Sequence, residues 1–209
     1  MLLSGRGSNF QSILSASQSG ALGGDIALVI SNRPDSGGLD IARDAGIEIA
    51  LIDHQAYATR EAFDASLAGA LENQSLDLIV LAGFMRILTP AFVSRFSGRL
   101  INIHPSLLPL YPGLNTHQRA LDAGDTHAGA TVHYVTRELD GGPSVLQAKV
   151  VVQPDDDADS LAARVLQVEH QIYPQAIAWH LSERLQFTAG TLYLDGVALP
   201  PTGQRWESV

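Results

Sequence analysis

The sequence predicts an α/β fold: a mostly parallel, twisted sheet flanked by helices, in a single domain spanning residues 1–209. Short apolar strands alternate with amphipathic helical stretches through the first hundred residues, the rhythm that right-handed β-α-β crossovers produce. Apolar residues make up 45% of the 209 and charged residues 17%, which suits one substantial core and excludes a disordered chain. A glycine-rich turn follows the first apolar stretch directly.

In chain order, residues 1–3 read as a strand stub and 8–18 as a helix. Strand 25–30 precedes helix 38–45, strand 47–52 precedes helix 59–71, and strand 77–81 leads to a short helix over 90–96. Strand 100–103 ends this rhythm, because Pro105 has no N–H to donate. Residues 128–135 and 144–152 then read as two strands joined by a turn near Gly141, a hairpin added to the sheet. The acidic run 155–159 complements the dipole at the start of a long helix over 160–181, which Pro174 should kink. The tail, 185–199, reads as a hairpin turning at Gly190.

Composition narrows the function. The net charge is −9, and the 13 basic residues are 12 Arg and Lys149 with no cluster, so a nucleic-acid surface is not expected. Lys149 sits in an alternating strand pattern with its ammonium in solvent, which argues against Schiff-base chemistry. The absence of cysteine removes thiol nucleophiles and Cys-ligated metals. No apolar run reaches about 18 residues, and the MLLSGRG start does not read as a signal peptide, so a cytoplasmic protein without membrane attachment is expected. The seven histidines show neither H-E-x-x-H nor an i, i+4 pair on one helix, so no metal is expected.

The chemistry-bearing stretch is Asn102-Ile103-His104-Pro105-Ser106-Leu107-Leu108-Pro109, with Leu139-Asp140-Gly141-Gly142-Pro143 further on. Residues two apart on a strand share a face, so Asn102 and His104 lie side by side at a strand end that opens into a Pro-rich loop. The amide can hold a carbonyl oxygen, the imidazole can move a proton, and Asp140 can orient that imidazole and stabilise its cation. This set suits acyl transfer. Each residue also has a plain structural alternative: a hydrogen-bonded His at a strand end, and an Asp that forms a turn. Without a G-x-S-x-G elbow, Ser106 is not a nucleophile.

The turn Ser4-Gly5-Arg6-Gly7-Ser8-Asn9 before a helix could cradle a phosphate on free N–H groups, or could be a capped βα turn. It is a poor dinucleotide site. Phe10 stands where the third glycine belongs, and the second strand ends in Ser31-Asn32 without a ribose-binding acid. Arg60, Arg86 and Glu169-His170 stay open between surface and site.

Several long motifs occur together: Ser4-Gly5-x-Gly7-Ser8-Asn9, residues 80–88 (VLAGFMRIL), Asn102 to Pro109, Tyr111-Pro-Gly-Leu114, Glu138 to Pro143, and Glu169-His-x-Ile-Tyr-Pro174. In this order and nearly end to end, they resemble the single-domain bacterial phosphoribosylglycinamide formyltransferases. The resemblance implies a Rossmann-like formyltransferase fold. About 1–97 would form a phosphate-binding half and about 98–209 a catalytic and folate-binding half. It implies formyl transfer from 10-formyltetrahydrofolate to the amine of glycinamide ribonucleotide in purine biosynthesis, with no metal, by a monomer or homodimer. Asn102, His104 and Asp140 would be catalytic. Gly7, Ser8 and Asn9 would hold the phosphate and Glu169 the ribose. Arg60, Met85, Arg86, Ile87 and Leu88, with Thr136, Arg137, Glu138, Leu139 and Asp140, would line the folate side. Asn102 and protonated His104 would stabilise the formyl oxygen, and Asp140 could take the amine proton through a water.

Two departures stand out. The family usually has several more residues before Ser4, and a trimmed first strand could weaken the sheet centre and the phosphate loop it feeds. Position 115 is Asn where family members often carry His. Formyltetrahydrofolate deformylase shares the trio but normally has an extra N-terminal domain. Methionyl-tRNA formyltransferase shares it with an added C-terminal RNA-binding domain. A non-catalytic folate- or nucleotide-binding module is a further alternative.

Overall fold

In the computed structural model, which describes residues 1–207, eight strands form one sheet in the order β11-β7-β6-β5-β4-β1-β2-β3. Strands β1 (Leu2–Leu3), β2 (Leu28–Ser31), β3 (Glu48–Leu51), β4 (Ile79–Leu81) and β5 (Leu100–His104) run parallel. Strand β6 (His127–Tyr134) pairs antiparallel with β5, and β7 (Ser144–Val151) antiparallel with β6. The β-α rhythm predicted the parallel half, and the change of rhythm after Leu100 marks where the sheet turns antiparallel.

The helices are α1 (Ser8–Gln18), α2 (Gly37–Asp44), α3 (Arg60–Glu72), α4 (Pro90–Arg95), α5 (Thr116–Asp122) and α6 (Ala158–Leu181). They cover both faces. One core packs Phe10, Ile13, Ile101, Val132, Leu146, Val165, Ile172 and Tyr173 together. The other packs Leu2, Ile30, Phe63, Leu67, Ile79, Phe92 and Leu100 on the opposite side. Alternation within β5 explains the division: Leu100 faces one core, and Ile101 and Ile103 the other.

The two-residue β1 sits at the centre with both residues fully buried, hydrogen-bonded to β2 on one side and β4 on the other. The order reverses between β1 and β4, the switch point where open sheets of this type bind ligands beyond their carboxyl ends. Helix α6 starts with a capping box: Asp157 accepts from Ser160 N–H at 2.8 Å, and Ser160 Oγ accepts from Asp157 N–H at 3.0 Å. Asp156 is held by two bonds of 2.7 Å from Arg164. The acidic run is therefore a helix cap. Helix α6 continues through Pro174 to Leu181.

Three features differ from the expectation. Helix α5 went unread; it begins at Asn115, whose φ of 57° is one that Asn tolerates better than most residues. The tail is a three-stranded meander, β8 (Leu185–Thr188), β9 (Thr191–Leu194) and β10 (Val197–Ala198). The chain then returns as β11 (Gln204–Arg205) beside β7, and Trp206 N–H donates to Gln147 O at 2.8 Å. Among the described residues, no helix is long and apolar enough to cross a membrane.

Candidate active site

Strand β5 delivers Asn102 and His104 to one face, as the alternation predicts. Directly across the β5–β6 ladder from Asn102 stands His133. Its ring is 2% exposed, and Nδ1 lies 2.9 Å from Tyr134 O. A carbonyl only accepts, so Nδ1 carries the proton. Burial pushes the His133 imidazole below its usual range, so the ring is neutral and Nε2 is a bare acceptor. Asn102 Nδ2 donates to it at 3.2 Å. One amide N–H is thus spent on fixing the side chain, and the other remains for a substrate oxygen.

His104 is 6% exposed, and its Nε2 lies 2.9 Å from Tyr111 O. The same reasoning gives Nε2 the proton and makes Nδ1 the nitrogen that gains or loses one. Nδ1 faces Asp140 Oδ2 at 3.5 Å. Asp140 itself has φ of 52° and accepts from Gly113 N–H at 2.8 Å. Its other oxygen lies 3.8 Å from His133 Nε2. The carboxylate therefore closes a cluster with both imidazoles and with the Pro-rich loop. That loop is held in turn: Ser106 Oγ donates to Leu110 O (2.6 Å), Tyr111 OH to Asp125 (2.6 Å), and Arg119 to Pro112 O (2.7 Å). Behind Asp140, Gly142 lets the hairpin close, since a Cβ there would lie 1.8 Å from Tyr134 O.

The loop between β1 and α1 is built as the glycine pattern requires. Gly7 is the N-cap of α1 with φ of 85°, and a Cβ on it would approach Gly38 Cα to 2.8 Å. Neither Ser8 nor Asn9 caps the helix, and no side chain does. The first-turn N–H groups keep their orientation toward an anion. Helix α2 braces the loop, with Ser36 Oγ and Gly38 N–H both donating to Gly5 O, at 2.8 and 3.2 Å.

The Asn9 side chain makes a contact beyond the loop. Its Nδ2 donates to Glu169 Oε2 at 2.7 Å, joining the loop to α6. Burial raises the Glu169 carboxyl above its usual range, and the Asn9 bond offsets part of that rise. Tyr173, one helical turn on, donates to Leu81 O at 2.8 Å. The Glu-x-x-x-Tyr spacing of α6 thus puts one residue on the loop and the other on the sheet.

On the remaining side, Met85 and Ile87 are 71% and 58% exposed, apolar and without cover. Arg60 donates to Ile87 O at 2.7 Å, and the Arg86 guanidinium lies 4.8 Å from the Phe63 ring centroid. Leu88 is buried in the second core, so only its backbone can meet a ligand. Arg137 turns away to Ser94 Oγ at 2.8 Å, Thr136 bonds only weakly to Glu138 O at 3.4 Å, and Leu139 is exposed. Lys149 lies exposed on β7. His133 was missed by sequence reasoning; its alternation in Ala130-Thr131-Val132-His133 put it on a face, and only the β5–β6 register shows which one.

Comparison with known proteins shows the family. Residues 1–177 match the family described as formyl transferase. The chain is 50% identical over 203 residues to the phosphoribosylglycinamide formyltransferase of Escherichia coli, covering 97% of this chain and 96% of that protein. With the enzyme of the same name from Haemophilus influenzae it shares 47% over 207 residues, covering 99% and 98%. The solved phosphoribosylglycinamide formyltransferase of Coxiella burnetii superposes with a TM-score of 0.94 at 47% identity, covering 99% of this chain and 97% of that one.

Proposed function

The chain belongs to the formyl transferase family, and we propose that Asn102, His104 and Asp140 carry out its reaction: transfer of a formyl group from 10-formyltetrahydrofolate to the amine of 5'-phosphoribosylglycinamide. The observation that carries this reading is the tautomer-defined cluster, a free amide N–H on Asn102 beside an imidazole whose Nδ1 faces a carboxylate at 3.5 Å. Identity of 50% over nearly the whole chain supports the reaction and its place in purine biosynthesis, and a cytoplasmic location fits such an enzyme.

The division of labour follows from the geometry. Gly7, Ser8 and Asn9 offer backbone N–H groups to the phosphate at the start of α1. Glu169, held by Asn9, has lone pairs left to accept from ribose hydroxyls. The exposed apolar side chains of Met85, Ile87 and Leu139 fit the flat faces of a reduced folate, and Arg60 and Arg86 supply cations for its carboxylates. As the amine bonds to the formyl carbon, negative charge grows on the formyl oxygen. Asn102 donates to that oxygen, and His104 protonated at Nδ1 adds its charge. Asp140 stabilises the imidazolium and accepts the proton shed by the amine through a water. The carbon–nitrogen bond to folate then breaks as the proton taken from the amine passes from Asp140 through the water to the departing nitrogen, and no covalent enzyme intermediate forms.

The test is spectroscopic, with purified protein, 10-formyltetrahydrofolate and the ribonucleotide. Product that requires the ribonucleotide and is lost in His104→Ala is expected. Folate deformylation without the ribonucleotide would move the chain to a hydrolase, and folate binding with neither turnover to a binding module.

A further inference from the structure

Ser4 opens the Ser-Gly-Arg-Gly-Ser-Asn turn, and its place in that motif suggests a phosphate contact. Its side chain does something else. Ser4 is 3% exposed at the end of β1, and its hydroxyl donates to Asn32 Oδ1 at 2.6 Å. The Ser4 hydroxyl oxygen in turn accepts the backbone N–H of Met85 at 2.8 Å, across 81 residues of sequence. Asn32 is 2% exposed beyond β2, and His54 Nδ1 lies 2.8 Å from its backbone carbonyl oxygen and 3.2 Å from its side-chain Nδ2. The hydroxyl therefore has its proton committed to β2 and a lone pair committed to the loop after β4.

Met85 begins the exposed stretch that passes the folate side. That stretch belongs to no helix or strand, and two of its side chains face solvent. Its backbone is held at two points, the Met85 N–H by Ser4 and the Ile87 carbonyl by Arg60, while the Arg86 guanidinium rests on the Phe63 ring. Without the Ser4 oxygen, the Met85 amide loses a rigid, buried partner and the stretch is free to shift at its first residue.

We propose that Ser4 is a positioning residue for the folate co-substrate, acting through the Met85 amide, although it lies in the motif that serves the phosphate. This rests on the assignment of Met85 to Leu88 to the folate side.

The experiment compares Ser4→Ala and Asn32→Ala with the unaltered protein. KM is measured for each substrate, and the affinity for tetrahydrofolate alone by calorimetry. Loss of one hydrogen bond to a positioned loop corresponds to about 3- to 10-fold. Ser4→Ala is expected to raise the folate KM and the tetrahydrofolate Kd by that factor, with the ribonucleotide KM changed less than about twofold. Asn32→Ala disturbs the same buried pair but leaves Met85 its acceptor, so its folate KM rises less. If Ser4→Ala does not fold, Ser4→Cys, whose sulfur is a poor acceptor, carries the same expectation. Equal rises in both KM values, or an unchanged tetrahydrofolate Kd, would overturn the proposal. Tetrahydrofolate binding by the unaltered protein without formyl transfer would overturn the function and leave the Ser4 assignment to be decided by calorimetry. No tetrahydrofolate binding at all would overturn both.

Discussion

Replacing Asn102 by Leu separates chemistry from folding. The substitution removes the one amide N–H that is not engaged with His133 and keeps a side chain of similar size. Removing a donor to a developing oxyanion lowers kcat by about 100- to 1000-fold, or roughly 2.7–4 kcal/mol of barrier. The structure also sets the stability cost. His133 Nε2 loses its partner at 3.2 Å in a ring that is 2% exposed. An unpaired buried acceptor costs about 1–3 kcal/mol, and for a chain of this size each kcal/mol lowers Tm by about 2–4 °C. A domain with about 5–15 kcal/mol of stability survives that loss with more than about nine-tenths of its molecules folded. A hundredfold fall in kcat therefore cannot come from unfolding. Steady-state absorbance kinetics should show the fall with both KM values within about threefold, and calorimetry a Tm lowered by about 2–12 °C. A kcat within tenfold of normal, with the loss appearing in KM, would show that Asn102 binds ground states and does not face the oxyanion.

His133→Phe leaves the Asn102 amide without its anchor but with both protons, so kcat should fall by about 3- to 30-fold, less than for Asn102→Leu; an equal or larger loss would mean that His133 acts on the substrate itself. Glu169→Gln keeps an acceptor for Asn9 but removes the charge, and should raise the ribonucleotide KM by about 3- to 10-fold with the folate KM unchanged; the same two-substrate kinetics decide it. Gly142→Ala places a Cβ against Tyr134 O, so Tm should drop by several degrees from about 1–3 kcal/mol of overpacking and activity should fall by more than tenfold as Asp140 moves; normal kcat would mean that the loop tolerates displacement. Burial lowers His133, His117, His170 and His180 below the usual histidine range. The unfolded chain then binds more protons below about pH 6.5, and stability is lost as pH falls through the folded values. Glu169, raised by burial, acts in the opposite direction, taking up a proton in the folded chain as pH falls. Tm should fall between pH 7.5 and 5.5, and a rising Tm there would contradict the neutral, buried imidazoles.

How legible these features were in the sequence depended on whether they are local. Helix α1 falls on residues 8–18 as predicted, because its apolar residues keep a 3.6-residue spacing after a glycine turn. Strand β5 was legible from an apolar run stopped by a proline, and its period of two placed Asn102 and His104 on one face before any tertiary contact was known. Helix α5 was not legible. It has seven residues and lacks an acidic first turn, and Asn115, though a favoured N-cap type, stands at φ of 57° and makes no side-chain capping bond. Strand β11 has two residues and exists only because β7 offers an edge.

The site divides in the same way. The amide and imidazole were readable on one strand face, and Asp140 both as a turn residue and as a carboxylate able to orient that imidazole; their naming as a catalytic trio came with the resemblance. What determines how they act was not. The tautomer of His104 is set by the Tyr111 carbonyl, seven residues on, in a loop turned back by a residue at φ of 55°. The orientation of Asn102 is set by His133, which reaches it through the antiparallel β5–β6 register. In the same motif, Ser4, Gly7 and Asn9 look alike as phosphate ligands, yet their side-chain environments send Ser4 to Met85, keep Gly7 free of a Cβ and send Asn9 to Glu169. A motif thus identifies which residues matter. The partner of each one is a property of strand register and loop return, and it is the partner that decides whether a group donates, accepts or merely holds another group in place.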